Sequence, residues 1–372
     1  MLVAAAVLAP LAVSAPAHAD STITCDGDGV SGKRVQLVYV HGDAQTDRYA
    51  DLLPTFQEFS TEIDADFVEA STRLTTAGGI RHVRFVHDAS CHATVDDVTI
   101  PQSSMTDENA VSTAIAAQGY NRADRKYLVW WDADACGLSF GNPGDDSPGA
   151  DNGNNSGPNY SMLGAQGVCF GWPASAHELL HSLGAVQRSA PHATTNGHCW
   201  DDEDIMCYDD GGIPPGQTLT KVCAGAPENQ IDCNEDDYFN TDPAPGSYLA
   251  THWNVANSEF LIDTPVPATC QVTYTTTDNW GSGANVNVTI ANTGTTAING
   301  WTLGFDFLGN ESITTAWNAT YTQTQQAVLA HDAGYNSTIP AGGSVSFGLS
   351  LTYSGDYNPP ITFTLNGSNS CA

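Results

Sequence analysis

The chain changes texture near residue 265, and one packing pattern does not serve both halves. From Cys270 onward, apolar and polar residues alternate: Val286, Val288 and Ile290, then Trp301, Leu303, Phe305 and Phe307. Val345, Phe347, Leu349 and Leu351 continue the alternation, followed by Ile361, Phe363 and Leu365. A period of two, broken by Asn-Thr-Gly and Ala-Gly-Gly turns, predicts strands that each bury one face. The expected fold over 270–372 is an all-β sandwich of immunoglobulin-like type, with Cys270 and Cys371 at its two ends. Pro265 and Pro267 mark a linker at 264–269.

Residues 20–263 mix periods. Arg34 to Val40, His82 to Val86 and Tyr127 to Trp131 read as strands, and Asp47 to Phe59 as a helix carrying Tyr49, Leu52, Leu53 and Phe56 on one side. Thr106 to Gln118 reads as a second helix with Thr106 as its N-cap. Alternating strands and helices predict an α/β or α+β domain. Gly141 to Pro158 is nearly all Gly, Asn, Asp, Pro and Ser, the composition of a loop.

Charge narrows the partners. The 372 residues hold 11 Lys and Arg against 42 Asp and Glu, a formal charge of −31, and nothing beyond Lys221 is Lys or Arg. Nucleic acid and anionic membrane surfaces both need basic patches and are excluded as partners. The opening MLVAAAVLAPLAVSAPAHAD ends its apolar run in Ala17-His18-Ala19 and reads as a signal peptide over 1–19. A secreted, extracellular, monomeric protein is expected. Its ten cysteines would then form up to five disulfides, Cys199 with Cys207 and Cys223 with Cys233 being plausible local pairs. The sequence alone does not choose the connectivity.

The sharpest motif is His177-Glu178-Leu179-Leu180-His181. On a helix, positions i and i+4 share a face, so both imidazoles reach one metal while Glu178 stands beside the open coordination position as a base. Neutral imidazoles and an open position suit Zn²⁺. Gly184, three residues on, can take the positive φ that ends the helix. The acids Asp145, Asp146 and Asp151, and Asp232, Glu235, Asp236 and Asp237, offer oxygens that could hold Ca²⁺, although neither set has the spacing of a dedicated calcium loop. His41, His82, His87, His92 and His252 read as structural. No G-x-S-x-G or glycine-rich phosphate loop appears, so serine-hydrolase and nucleotide-enzyme readings lack support.

With Asp204-Ile205-Met206-Cys207-Tyr208 downstream, His177–Gly184 resembles the metzincin clan of zinc proteases, whose H-E-x-x-H-x-x-G-x-x-H/D pattern precedes a Met-turn. The resemblance implies Met206 as the Met-turn methionine. It also implies Tyr208 as the tyrosine that astacin-like members use at zinc or the oxyanion. The third ligand position of the pattern holds Gln187, a poor zinc ligand. In the snapalysin-like branch an aspartate ligand sits six residues before a cysteine; His192 lies seven before Cys199, which makes it the expected third ligand, with His198 as the alternative.

The tail resembles family 2 carbohydrate-binding modules. The matching features are the Cys270/Cys371 pair, Asn279-Trp280, Asn292-Thr293-Gly294, Asn299-Gly300-Trp301-Thr302-Leu303, Ala316-Trp317-Asn318 and Pro340-Ala341-Gly342-Gly343. By its apolar stripe alone Trp301 could be core, but the resemblance implies that Trp280, Trp301 and Trp317 form a flat strip for crystalline cellulose or chitin. The expectation is therefore a zinc-dependent endopeptidase acting on protein or peptide and anchored to insoluble polysaccharide. The alternative is a polysaccharide-binding protein whose zinc domain is catalytically weak.

Overall fold

A computed structural model describes residues 21–73, 78–139, 141–202, 204–223, 229–264, 269–366 and 369–371. The leader read at 1–19 and the linker positions 265–268 lie outside the described residues.

The N-terminal domain is built on a five-stranded sheet. Its elements are β1 (Arg34–Gly42), α1 (Tyr49–Thr72), β2 (Ile80–Val83), β3 (Val95–Ile100), α2 (Glu108–Ala117), β4 (Arg125–Asp134), β5 (Leu138–Ser139), β6 (Asn159–Gln166) and α3 (Trp172–Leu183). The strand order is β3-β1-β4-β6-β5. Four strands are parallel and β5 runs antiparallel to β6 at the edge. Central β1 and β4 are buried on both faces, as near-continuous apolar strands of a parallel sheet must be. Phe56, Ile63 and Phe67 of α1 and Leu179, Leu180 and Leu183 of α3 share one core with Leu37, Tyr39, Leu128 and Trp130. Val111 and Ile115 of α2 pack with Val38, Val40, Val129 and Trp131. Side chains alternate across a strand, so helices cover both faces, an α/β arrangement.

Three local expectations change. Helix α1 continues past Phe59 because Ile63 and Phe67 extend its apolar face by two turns, both fully buried. Helix α2 is capped by Asp107, not Thr106: the Asp107 carboxylate accepts from the Ala110 amide at 2.9 Å. The strand read at His82–Val86 is β2, ending at Val83, after which only Phe85 bridges to Val35. Gly141–Pro158 is a loop as expected, broken by one short 3₁₀ turn at Gly153–Asn155.

Beyond α3 lie the short parallel pair β7 (Asp201–Asp202) and β8 (Thr220–Lys221), then α4 (Tyr248–Thr251) and β9 (Leu261–Thr264), which pairs back onto β2. All ten cysteines are paired: Cys25–Cys91, Cys136–Cys169, Cys199–Cys207, Cys223–Cys233 and Cys270–Cys371.

The C-terminal domain contains β10 (Cys270–Asn279), β11 (Gly283–Asn292), β12 (Ile298–Asn299), β13 (Thr302–Asp306), β14 (Ser312–Trp317) and β15 (Ala319–Thr324). It continues with β16 (Ala327–Asp332), β17 (Thr338–Ile339), β18 (Ser344–Thr352), β19 (Phe363–Leu365) and β20 (Asn369–Cys371). Two antiparallel sheets, β10-β11-β18-β14 and β15-β16-β13-β19-β20, enclose one apolar core, and β12 pairs with β17. The alternation read from sequence places Val286, Val288, Ile290, Leu303, Phe347 and Leu349 inside. Ile361 departs from it at 77% exposed, because it precedes β19 and takes no part in the ladder.

Candidate functional site

Helix α3 carries the first two imidazoles. It starts at Gly171 with Pro173 in its first turn and ends at Gly184, whose φ of 92° lets the amides of Gly184 and Ala185 return to the carbonyls of His181 and Leu180. A Cβ on Gly184 would lie 2.5–2.6 Å from Asn154 and Trp253, so close approach also requires glycine here. Trp253 Nε1 and Lys126 Nζ donate to the carbonyls of Leu183 and Ser182, satisfying last-turn acceptors that a helix leaves unpaired.

His177 Nε2 and His198 Nε2 each lie 3.1 Å from His181 Nε2. The third imidazole is therefore His198. The expectation of His192 is corrected: its Nδ1 lies 3.0 Å from Asp237 Oδ2 and its ring stands edge-on to Trp200. The reason is a tight turn at Gly197 (φ 98°), closed by Thr194, which accepts the His198 amide on its Oγ1 and gives its own amide to the His198 carbonyl. The His198 end of that turn reaches His181 on the helix. Gln187 also points away from the imidazoles, its Nε2 donating to the Gly184 carbonyl at 2.7 Å.

The surroundings of the imidazoles fix their tautomers. His177 Nδ1 lies 2.8 Å from the Ile205 carbonyl, which can only accept, so Nδ1 carries the proton and Nε2 the lone pair. His198 Nδ1 lies 2.8 Å from Asp210 Oδ2, with the same consequence. Burial lowers the His177 pKa to about 4 and takes that of His181 well below its ordinary value, which favours neutral rings. At least two nitrogen lone pairs thus crowd a third nitrogen whose single N–H can serve one of them. Such convergence fits a divalent cation, with the Nδ1 partners orienting the rings. Met206 is fully buried in the turn that presents the Ile205 carbonyl.

Glu178 and Tyr208 border the same cleft of about 350 Å³, with Gly137, Leu138 and Ser139 on its edge-strand side. The Glu178 carboxylate rests against Gly137, where a Cβ would fall 1.9 Å from Oε1; its Oε2 is buried with no hydrogen-bond partner. Burial raises the Glu178 pKa to about 8. Tyr208 Oη lies 2.9 Å from His198 Nε2. The Cys199–Cys207 disulfide brings the two together, since the next amide, Tyr208 N, donates to the Cys199 carbonyl. Neither acidic set assembles as the sequence grouped it. Asp145 is spent on Ser147 and the Gly153 amide, and Asp232 on the amides of 236–239; Asp236 and Asp237 turn to His192.

On the sandwich, Trp280 and Trp317 are 53% and 43% exposed. Trp280 covers Gly283 and Trp317 covers Gly348, glycines that alternate with inward Ala284, Phe347 and Leu349, so both rings stand on the outer face of one sheet. Trp301 is corrected to core. It is 1% exposed, stacks on Phe347 and donates Nε1 to the Asn336 carbonyl at 2.9 Å. A residue missed in the sequence reading joins the exposed pair: Tyr335, 77% exposed, donates its hydroxyl to Asn318, beside Trp317. It lies in a turn outside any periodic pattern, so only its aromatic type could have drawn notice.

A disulfide-closed sandwich with exposed aromatic side chains on one sheet face defines the class, and residues 270–371 match the model of the cellulose binding domain family. Over that segment the chain belongs to this family. It is 34% identical over 113 residues to a cellulose/chitin binding protein of Mycobacterium bovis, covering 30% of this chain and 80% of that protein. Exoglucanases B and A of Cellulomonas fimi are 38% identical over 119 residues and 42% over 98, covering 31% and 26% of this chain. The chain spans about a tenth of those enzymes, 11% of each. Among solved structures, the chitin-binding domain of Chi18aC from Streptomyces coelicolor is 35% identical, with a TM-score of 0.24 over 27% of this chain and 92% of that one. No helix among the described residues is long and apolar enough to cross a membrane.

Proposed function

We propose that this chain is an extracellular polysaccharide-binding protein whose N-terminal domain is a zinc endopeptidase of metzincin type. One observation carries the reading: three imidazole nitrogens converge beside a buried carboxylate and a tyrosine hydroxyl in one cleft. His177, His181 and His198 would hold Zn²⁺, which supplies a Lewis acid that polarises water and carbonyl oxygen. Glu178 takes the proton of the attacking water and returns it to the leaving amine. Tyr208, whose hydroxyl stands beside His198 Nε2, would donate its O–H to the oxyanion once that nitrogen gives its lone pair to the metal. The exposed edge strand β5 offers backbone groups to an extended peptide. Trp280, Trp317 and Tyr335 supply apolar faces for sugar rings of cellulose or chitin, and anchoring there raises the concentration of the cleft near embedded protein. The family match over 270–371 favours a second reading, a polysaccharide-binding protein whose metal centre is catalytically weak.

The test uses the purified chain on an unstructured protein, with cleavage read by mass spectrometry and zinc by elemental analysis, alongside pull-down on cellulose and chitin. The expected result is one zinc per chain, cleavage abolished by chelation and restored by zinc, and retention on at least one polymer. Retention and bound zinc without cleavage would leave the second reading.

The carboxylate behind His198 yields a further expectation. Asp210→Asn removes the anionic acceptor of His198 Nδ1 and should weaken zinc binding by about 10–100-fold, measured by competition with a chromophoric chelator. Unchanged affinity would detach Asp210 from the centre.

A further inference from the structure

We propose that His192, Asp201, Asp236 and Asp237 form a second divalent-cation site, separate from the three-imidazole cleft and suited to an oxygen-seeking ion such as Ca²⁺. One ligand atom from each of the four lies within 4.8 Å of the others. They come from three segments: the stretch after α3, strand β7, and the loop that follows Cys233.

The hydrogen bonds within the group do not close. Three carboxylates surround His192 Nδ1, at 3.0 Å for Asp237, 3.2 Å for Asp201 and 3.6 Å for Asp236. One N–H serves one acceptor, and Asp237 takes it together with the His192 backbone amide. Asp201 accepts from Asn234 on Oδ2, but its Oδ1 has no partner although the residue is only 1% exposed. Asp236 Oδ1, the atom facing His192, is likewise buried and unpartnered, although that side chain is 46% exposed overall. An unmatched carboxylate oxygen out of water is costly, and with the His192 N–H given to Asp237 a bound cation would satisfy those of Asp201 and Asp236.

Three carboxylates against one imidazole favour a hard cation that accepts oxygen ligands and completes its shell with water. The remaining groups of at least three metal-ligating residues among the described residues are weaker candidates. Cys199 and Cys207, grouped with Asp204, are joined in a disulfide, and both carboxylates beside His41, those of Asp47 and Asp97, are exposed. A bound ion would brace the segment from His192 to Asp201, the turn that carries His198, against the loop after Cys233.

Calcium titration of the chelator-stripped full chain, by calorimetry and thermal melting, tests the site. Three imidazoles are poor calcium ligands, so the two centres give separate signals. The expected result is one saturable event per chain and a melting midpoint raised by about 5–10 °C at a hundredfold excess over Kd. Asp236→Asn should weaken calcium binding at least tenfold, and its partial exposure keeps folding out of the comparison. His177→Ala should leave calcium binding unchanged. A folded wild type that binds no calcium, or an Asp236→Asn chain that binds it equally well, would overturn the proposal.

Discussion

Glu178→Gln is expected to keep zinc bound while peptide cleavage falls by at least about 10²–10⁴-fold, the range a positioned general base contributes. The substitution isolates the base because Glu178 is not one of the three converging nitrogen donors. Glutamine keeps the shape of the side chain, so the close packing against Gly137 is retained. It also replaces a buried carboxylate by a neutral amide, which costs less to desolvate, so the variant should fold at least as well as the parent. Loss of rate with zinc content and melting midpoint preserved assigns the proton transfer to this carboxylate. His181→Ala is the contrast, losing metal and cleavage together. A Gln variant that cleaves at the parental rate would remove Glu178 from the chemistry and assign the proton transfer to another group.

Local periodicity made half of this centre legible. His177 and His181 are bound to share a helix face, and Gly184 could be placed at its end because positive φ is a one-residue property. The third imidazole belongs to a loop, where counting residues to Cys199 selected His192, the wrong side of the Gly197 turn. The usable signal lay in the disulfide: His198-Cys199 and Cys207-Tyr208 place two functional side chains next to joined cysteines, so the bridge brings them together. The sheet was partly legible for a related reason. β1 and β4 carry unbroken apolar runs at Leu37–Val40 and Tyr127–Trp131, whereas β3 carries Asp96 and Asp97, and β6 lacks the β-branched residues that mark a strand. Their pairing with β1 and β4 is non-local, and propensity contains no trace of it. Trp301 shows the opposite error. Its place in the 301–307 stripe already pointed inward, and the resemblance drew it outward.

That correction has the other large consequence. Trp301→Ala is expected to destabilise the sandwich by about 3–5 kcal/mol, the cost of emptying a large aromatic site in a core. The cavity would open against Phe347, and the Asn336 carbonyl would lose its indole donor beside Tyr335. Trp280→Ala and Trp317→Ala should leave the melting midpoint nearly unchanged, because each ring rests on the outside of the sheet over a glycine. Their effect should fall on binding, about tenfold or more each on cellulose or chitin, the scale of a principal exposed aromatic contact. Melting curves and adsorption isotherms on the three single variants separate the roles. Trp301→Ala chains that remain folded at low temperature should still adsorb, since their outer rings are intact. A Trp301→Ala chain with parental stability and abolished adsorption would return that residue to the binding face. Exposed tryptophans that change stability and leave adsorption untouched would move the polysaccharide contact to another surface of the sandwich.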